Sequence, residues 1–174
     1  MQFPWRDVGL SLSLAWLLAL ATVADAKAFA DPVPYCQAAG TIDAPDASYK
    51  GAPVPGWMVA KAYPPEALKA QESAGMDASK SIVWRCAGGA VLICVQGNSP
   101  ICGKANQSKV PTEAMREFCA GSPNSDVIPL SVIGQENPMI FDWSCHGEDP
   151  KVGRTIFKVD AQGYPAELWE KVSP

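Results

Sequence analysis

Six cysteines, Cys36, Cys86, Cys94, Cys102, Cys119 and Cys145, constrain this chain more than any other feature. All of them follow a segment that reads as an export signal. Arg6 and the α-amino group give a weakly basic start, partly cancelled by Asp7. The seventeen residues from Val8 to Ala24 carry no charge, and Leu12, Leu14, Trp16, Leu17, Leu18 and Leu20 make them apolar. Ala24-Asp25-Ala26 then sets small residues on either side of a cut before Lys27, the pattern a signal peptidase reads. The apolar stretch lies at the short edge of what spans a bilayer. Cleavage of residues 1–26 is therefore expected, with no stable membrane anchor left behind. An even number of cysteines in an exported chain implies three disulfides, because the compartment oxidises thiols. A metal site would call for paired Cys-x-x-Cys or His-x-x-x-His spacings, and neither occurs.

Residues 27–174 are one domain's worth of chain, long enough to bury a core. The formal net charge is −4, and it stays acidic after Arg6, Asp7 and Asp25 leave with the signal. A mildly acidic domain without a run of Lys or Arg has no electrostatic reason to bind nucleic acid.

Residues 27–56 are rich in Ala, Asp and Pro, which predicts an extended arm held down through Tyr35 and Cys36. The disulfide-stapled domain proper is expected over 57–174. Val54 to Tyr63 fits either helix or strand; Pro55 suits a first helical turn, and Trp57, Met58, Lys61 and Ala62 recur at helical spacing, so a short helix before Pro64-Pro65 is the favoured reading. Glu66 to Ser73 reads as a further turn or two of helix.

The pattern then changes to strands. Lys80 to Ala87 and Ala90 to Val95 flank Gly88-Gly89, a pair suited to a two-residue hairpin turn. That turn sets a register: Ala87 opposite Ala90, Cys86 opposite Val91, Trp84 opposite Ile93, Val83 opposite Cys94. Side chains alternate, so Cys86 and Cys94 point to opposite faces and cannot be bonded to each other. A Cys94–Cys102 bridge would close a short loop, worth about 2.5 kcal/mol of chain entropy. Three pairings of the other four cysteines then survive, of which Cys86–Cys145 with Cys36–Cys119 is the favoured one. Pro111 to Ala120 is the clearest helix, with Thr112 as cap, Glu113 in the first turn and Cys119 facing the core. Gly121 is expected to end it in the left-handed region. Val127 to Ile133 reads as an edge strand and Met139 to Cys145 as an alternating one. Arg154 to Val159 and Tyr164 to Val172 would continue a meander through an Asp160–Gly163 turn. The fold class is α+β: mostly antiparallel sheet, one or two short helices, three disulfides.

Trp84-Arg85-Cys86-Ala87-Gly88 and Trp143-Ser144-Cys145-His146-Gly147 share the pattern Trp-x-Cys-x-Gly. It puts a large aromatic and a sulfur on one strand face and a glycine where the chain turns. Two related hairpins packed about a shared disulfide core are expected.

The run Tyr35-Cys36-Gln37-Ala38-Ala39-Gly40-Thr41-Ile42-Asp43-Ala44-Pro45-Asp46 resembles the opening of a group of small exported alphaproteobacterial proteins. So do Trp84-Arg85-Cys86, Gly97 to Cys102 with Lys104-Ala105, and Pro111-Thr112 with Met115 and Cys119. The resemblance implies a periplasmic or secreted setting and carries no activity. The Trp-x-Cys-x-Gly hairpin bears a fainter likeness to periplasmic inhibitors of C-type lysozyme, which are small disulfide-bearing β-barrels.

Candidate chemistry is sparse. His146 is the sole histidine and sits in a loop-like context; Asp142 with Ser131 or Ser144 could complete a triad, but no Gly-x-Ser-x-Gly elbow activates a serine. Glu136, Asp142, Glu148, Asp149 and Asp160 fall around the C-terminal loops. Two opposed carboxylates there could cleave a glycosidic bond, or loop oxygens could hold Ca²⁺, yet acidic residues are what turns ordinarily carry. An even cysteine count leaves no spare redox thiol. Trp84 and Trp143 read as core, while Trp57 and Trp169 could stack on a sugar or anchor a partner. Asn106-Gln107-Ser108 fits a glycosylation acceptor, relevant in a eukaryotic secretory route alone. No catalytic, cofactor-binding or metal-binding residues are assigned. The expectation is a non-enzymatic periplasmic or secreted protein that recognises another protein or an envelope glycan. Competing readings are a cell-wall glycan hydrolase using loop carboxylates and a structural envelope protein.

Overall fold

Gly88 and Gly89 both take positive φ, 55° and 78°, as the two central residues of a tight hairpin turn require. The hairpin they close, β1 (Ile82–Ala87) with β2 (Ala90–Val95), has the expected register from Ala87↔Ala90 to Ile82↔Val95. The computed structural model describes residues 27–97, 101–134 and 138–174; the expected export signal, residues 1–26, lies outside them. The fold is α+β, with five helices and five strands in two antiparallel sheets among the described residues. No helix among them is long and apolar enough to cross a membrane.

Residues 27–56 are not extended throughout. Pro32–Ala39 forms helix α1, because Asp31 accepts the Val33 N–H at 2.7 Å as an N-cap and Pro32 falls in the first turn, where a missing N–H costs nothing. Tyr35 and Cys36 are buried, as expected, and pin this helix to the hairpin. Helices α2 (Gly56–Ala62) and α3 (Pro65–Ser73) follow as read, divided at Tyr63-Pro64. Tyr35, Cys36, Met58, Ile82, Trp84, Cys86, Val91 and Ile93 make the first core.

Helix α4 (Glu113–Gly121) is capped by the Thr112 hydroxyl, which accepts the Met115 N–H at 3.3 Å. Gly121 is still helical; the left-handed residue beyond the helix is Asn124, at φ 60°. Val127 to Ile133 is not an edge strand. The Pro129 carbonyl starts a helical turn, α5 (Leu130–Ile133), by accepting from Val132 and Ile133. Strand β3 (Phe141–His146) turns at Gly147-Glu148 directly into β4 (Asp149–Thr155), so the supposed loop after His146 is a tight hairpin. Met115, Cys119, Ile128, Met139, Phe141, Trp143 and Cys145 form the second core.

The expected C-terminal meander does not form. The Asp160–Gly163 turn is present, with Gly163 N–H donating to Asp160 O at 3.0 Å, but its flanks meet only at a lone Val159↔Pro165 bridge. The next donor of that ladder, Lys158 N–H, goes instead to the Glu167 carboxylate at 3.1 Å. The chain instead crosses to the first sheet, where β5 (Glu170–Val172) pairs with β2 in the order β1-β2-β5.

Three disulfides close, but two of the expected pairings are wrong. Cys94–Cys102 is bonded as read, and Cys86 and Cys94 are not joined. Cys36 bonds Cys86 and Cys119 bonds Cys145, replacing Cys36–Cys119 and Cys86–Cys145. Each hairpin cysteine is tied to the helix that packs on its own hairpin, because the two Trp-x-Cys-x-Gly hairpins sit in separate cores and share no common disulfide centre. Three cross-links within one chain are the covalent chemistry of an oxidising compartment.

Candidate functional site

A strand reading Ile-Val-Trp-Arg-Cys-Ala must find a partner for its charge. Cys86 and Trp84 point into the first core, so Arg85 points to the opposite face, beside Cys94. Nothing in the hairpin itself covers that face. The C-terminal segment does: Cys94, Cys102, Tyr164 and Trp169 form a third small core there, and Arg85 is completely buried. Its guanidinium lies over the rings of Tyr164 and Trp169, at 4.3 and 4.5 Å from their centroids. It pairs with the Asp160 carboxylate and donates to Gln162 Oε1.

The Asp160–Gly163 turn is shaped to present those partners. Asp160 Oδ1 accepts the N–H groups of Gln162 and Tyr164 at 2.9 and 3.0 Å. Burial pushes the Asp160 carboxyl up, but the Tyr164 N–H, Arg85 and the Gln162 N–H together hold it below the ordinary aspartate value. Gln162 Nε2 reaches on to Asp43 Oδ1 at 3.2 Å, and Asp43 Oδ2 meets Lys104 Nζ at 2.6 Å. The hydrogen bond from Lys104 holds the Asp43 carboxyl down, and Asp43 in turn raises Lys104. Burial, and then the neighbouring Asp43 charge, pushes the Tyr164 phenol up.

Beside this chain of ion pairs runs an open groove of about 560 Å³. Trp84 and Tyr49, ring centroids 5.0 Å apart, lie along one side, and Tyr164 and Trp169, 5.2 Å apart, along the other. The Trp84 indole N–H donates to Pro53 O at 2.6 Å, which fixes the ring. Asp43 and Cys102, the latter bonded to Cys94, also line the groove. The groove therefore offers aromatic and aliphatic surface, with its charges bound to one another.

Of the residues singled out from sequence, His146, Glu148 and Asp149 share the β3–β4 turn, with His146 opposite Asp149, and Asp160 lies in a different part of the fold. His146 is exposed at the end of β3. Asp142 is tied to Arg154 at 3.0 Å, Glu148 is in the β3–β4 turn and Asp149 opens β4. Asp160 belongs to the Arg85 clasp, while Glu136 lies outside the described residues. Among the described residues no group of three or more His, Cys, Asp or Glu is placed to hold a metal ion. All six cysteines are spent on disulfides. Trp169 is buried and lines the groove; Trp57 is half-buried against the first core. Asn106 Oδ1 accepts the Ser108 N–H at 2.9 Å in a local turn. Sequence reasoning passed over Arg85, Asp43, Lys104 and Gln162. The available signal was Arg85, a lone charge within two apolar strands.

The class defined by fold and groove is a small α+β protein with three disulfides and an aromatic-lined cleft beside the edge strand β1 of its first sheet. No protein-family model matches the chain, and neither a curated protein nor a solved structure matches it.

Proposed function

We propose that this is a non-enzymatic exported protein, periplasmic or secreted, that binds another protein or an envelope component through the aromatic groove. One concrete form is an inhibitor of an envelope hydrolase, which the likeness of its Trp-x-Cys-x-Gly hairpins to periplasmic lysozyme inhibitors supports. The observation that carries this reading is the groove's combination of aromatic walls with charges already engaged. Asp43 is neutralised by Lys104 and Asp160 by Arg85, and both carboxyls sit below the ordinary aspartate value. A glycosidase needs one carboxyl held protonated near neutral pH as its acid; these two are tuned the opposite way. Surface of this kind serves recognition, where rigid aromatic anchors dominate binding energy.

The test uses the exported, oxidised protein as bait in an envelope extract, alongside an Ala44→Trp variant. Ala44 is an exposed groove residue, so the bulk blocks the cleft without entering the core. Capture by the natural chain and loss with Ala44→Trp is the expected result; identical capture by both would refute the groove as the binding surface. Unchanged activity of lysozymes mixed with the protein would remove the inhibitor form.

A further inference from the structure

We infer that the C-terminal segment from Lys158 to Val172 is a releasable strap over the Cys94–Cys102 disulfide, and that the two form a thiol-sensitive latch. The first observation is covalent. All three bridges join residues at or before Cys145, so nothing downstream of it is cross-linked to the rest. The strap is also bonded to itself: Asp160 N–H donates to Tyr164 O at 2.9 Å, and Ala166 N–H to Lys158 O at 2.8 Å. Its polar ties to the first hairpin and its surroundings include the three residues of β5, the Arg85 clasp and the Ala105 N–H, which donates to Gly163 O at 2.8 Å.

The second observation is what the closed strap leaves unsatisfied. Among the described residues Arg85 Nε and Trp169 Nε1 are buried without a hydrogen-bond partner, and both lie where strap meets hairpin. Arg85 is besides a wholly buried charge. Lifting the strap returns both donors and that charge to water, which offsets much of the lost ion pair and stacking. A segment with a short strand, no cross-link and unsatisfied polar atoms beneath it is where a fold opens locally at least cost.

The third observation is what the strap covers. Cys94 and Cys102 are 2 % and 3 % exposed, and Tyr164 and Trp169 complete their cluster. The dependence runs both ways. Cys102 fixes the start of the segment whose Lys104 holds Asp43 and whose Ala105 holds Gly163 of the strap. The bridge anchors the strap's partners, and the strap keeps reductant from the bridge. This loop is the shortest of the three, a sequence separation of 8 against 26 and 50, so breaking it costs the fold least. With the strap open, one thiolate of a dithiol bonds to the Cys102 sulfur as the S–S bond breaks, and Cys94 leaves as a thiolate that takes a proton from water. The second thiolate then displaces Cys102, which is protonated in turn. Two electrons pass to the bridge and the reductant ends as a disulfide. Tyr164 and Trp169 also line the groove, so reduction remodels it.

The test is reduction of the oxidised protein by dithiothreitol without denaturant, with alkylation at intervals and peptide mass spectrometry to count each bridge. We expect Cys94–Cys102 to open about tenfold faster than either other bridge. Asp160→Asn keeps an acceptor for the Gln162 and Tyr164 N–H groups and removes the charge facing Arg85. It should speed Cys94–Cys102 alone, by about tenfold. In the double variant Cys94→Ser, Cys102→Ser, the amides of Ala105 and β5 should lose their protection from hydrogen exchange while that of Cys86 is kept. Another bridge opening first, or all three opening together, overturns the inference. So does Asp160→Asn leaving the Cys94–Cys102 rate unchanged or raising all three rates equally. Full protection of Ala105 in the double variant also overturns it, because the bridge would then not hold the strap.

Discussion

The two Trp-x-Cys-x-Gly hairpins solve the same local problem in similar ways, and differ most in what covers their outer face. In each, a helix cysteine bonds the motif cysteine: Cys36 of α1 to Cys86, and Cys119 of α4 to Cys145. In each, the chain leaving the helix takes one left-handed residue, Gly40 or Asn124, and returns beside the motif strand. Ile42 exchanges hydrogen bonds with Cys86 at 3.1 and 3.0 Å, while Ser125 O accepts the Cys145 N–H at 2.8 Å and Ile128 donates to Trp143 O at 2.7 Å. The motif glycines accept the same treatment: Gly88 N–H donates to Thr41 Oγ1 and Gly147 N–H to Asn124 Oδ1, at 2.9 and 2.8 Å. The residue between tryptophan and cysteine is where they part. In the first hairpin it is Arg85, roofed by Tyr164, Trp169 and Asp160; in the second it is Ser144, half-exposed on a two-stranded sheet. One buried charge has recruited the C-terminal segment to the first hairpin, and the groove exists because that segment lies there. Among the described residues no strand pairs with the outer side of β4, which Pro150, Lys151, Arg154 and an irregular register near Trp143 guard.

The comparison can be broken by measurement. Replacing Cys36 and Cys86 by Ser should cost about 4 kcal/mol, Cys119 with Cys145 about 3.5, and Cys94 with Cys102 about 2.5, following loop length in the unfolded chain. Denaturant midpoints that reversed this order would show that native packing, not loop closure, sets their worth. Arg85→Met should cost about 3 kcal/mol, because it leaves Asp160 facing an apolar roof without its partner. The matching change in the second hairpin, Ser144→Ala, should stay within about 0.5 kcal/mol. Equal losses would mean that the roof matters little.

The tryptophans give a finer test. The Trp84 N–H serves Pro53 O, whereas the Trp143 N–H is buried with no partner among the described residues. Trp84→Phe should therefore be the more destabilising by about 1 kcal/mol, the net worth of one hydrogen bond. Acid provides the last discrimination. The lowered aspartates Asp43, Asp46, Asp77 and Asp160 all lie in the first hairpin's surroundings, Asp77 capping the turn that leads into β1. A carboxyl depressed by folding adds stability above its unfolded value, near pH 4, and loses it as pH falls through the folded value. Below about pH 4 the resonances of Trp84 and Trp169 should change before those of Trp143. Simultaneous loss would contradict a first hairpin with its own electrostatic support.

Local rules settled much of this fold in advance. The Gly88-Gly89 turn dictated six residue pairs, the alternation of side chains forbade Cys86–Cys94, and Thr112 marked the start of α4. These depend on neighbours a few residues away, so they can be read along the chain. Pro32 and Pro34 misled, because a proline is hostile to a helix interior and welcome in its first turn, and the cap from Asp31 decided between them. Cysteine partnership, the crossing of β5 to β2, and the meeting of Arg85 with Asp160 across a long stretch of chain were decided by the tertiary structure alone. Each depends on which apolar face packs against which. Burial is non-directional, so several pairings satisfy the same pattern until shape and one unpartnered charge select among them. The identity of every residue in the groove was written in the chain, and their adjacency was not.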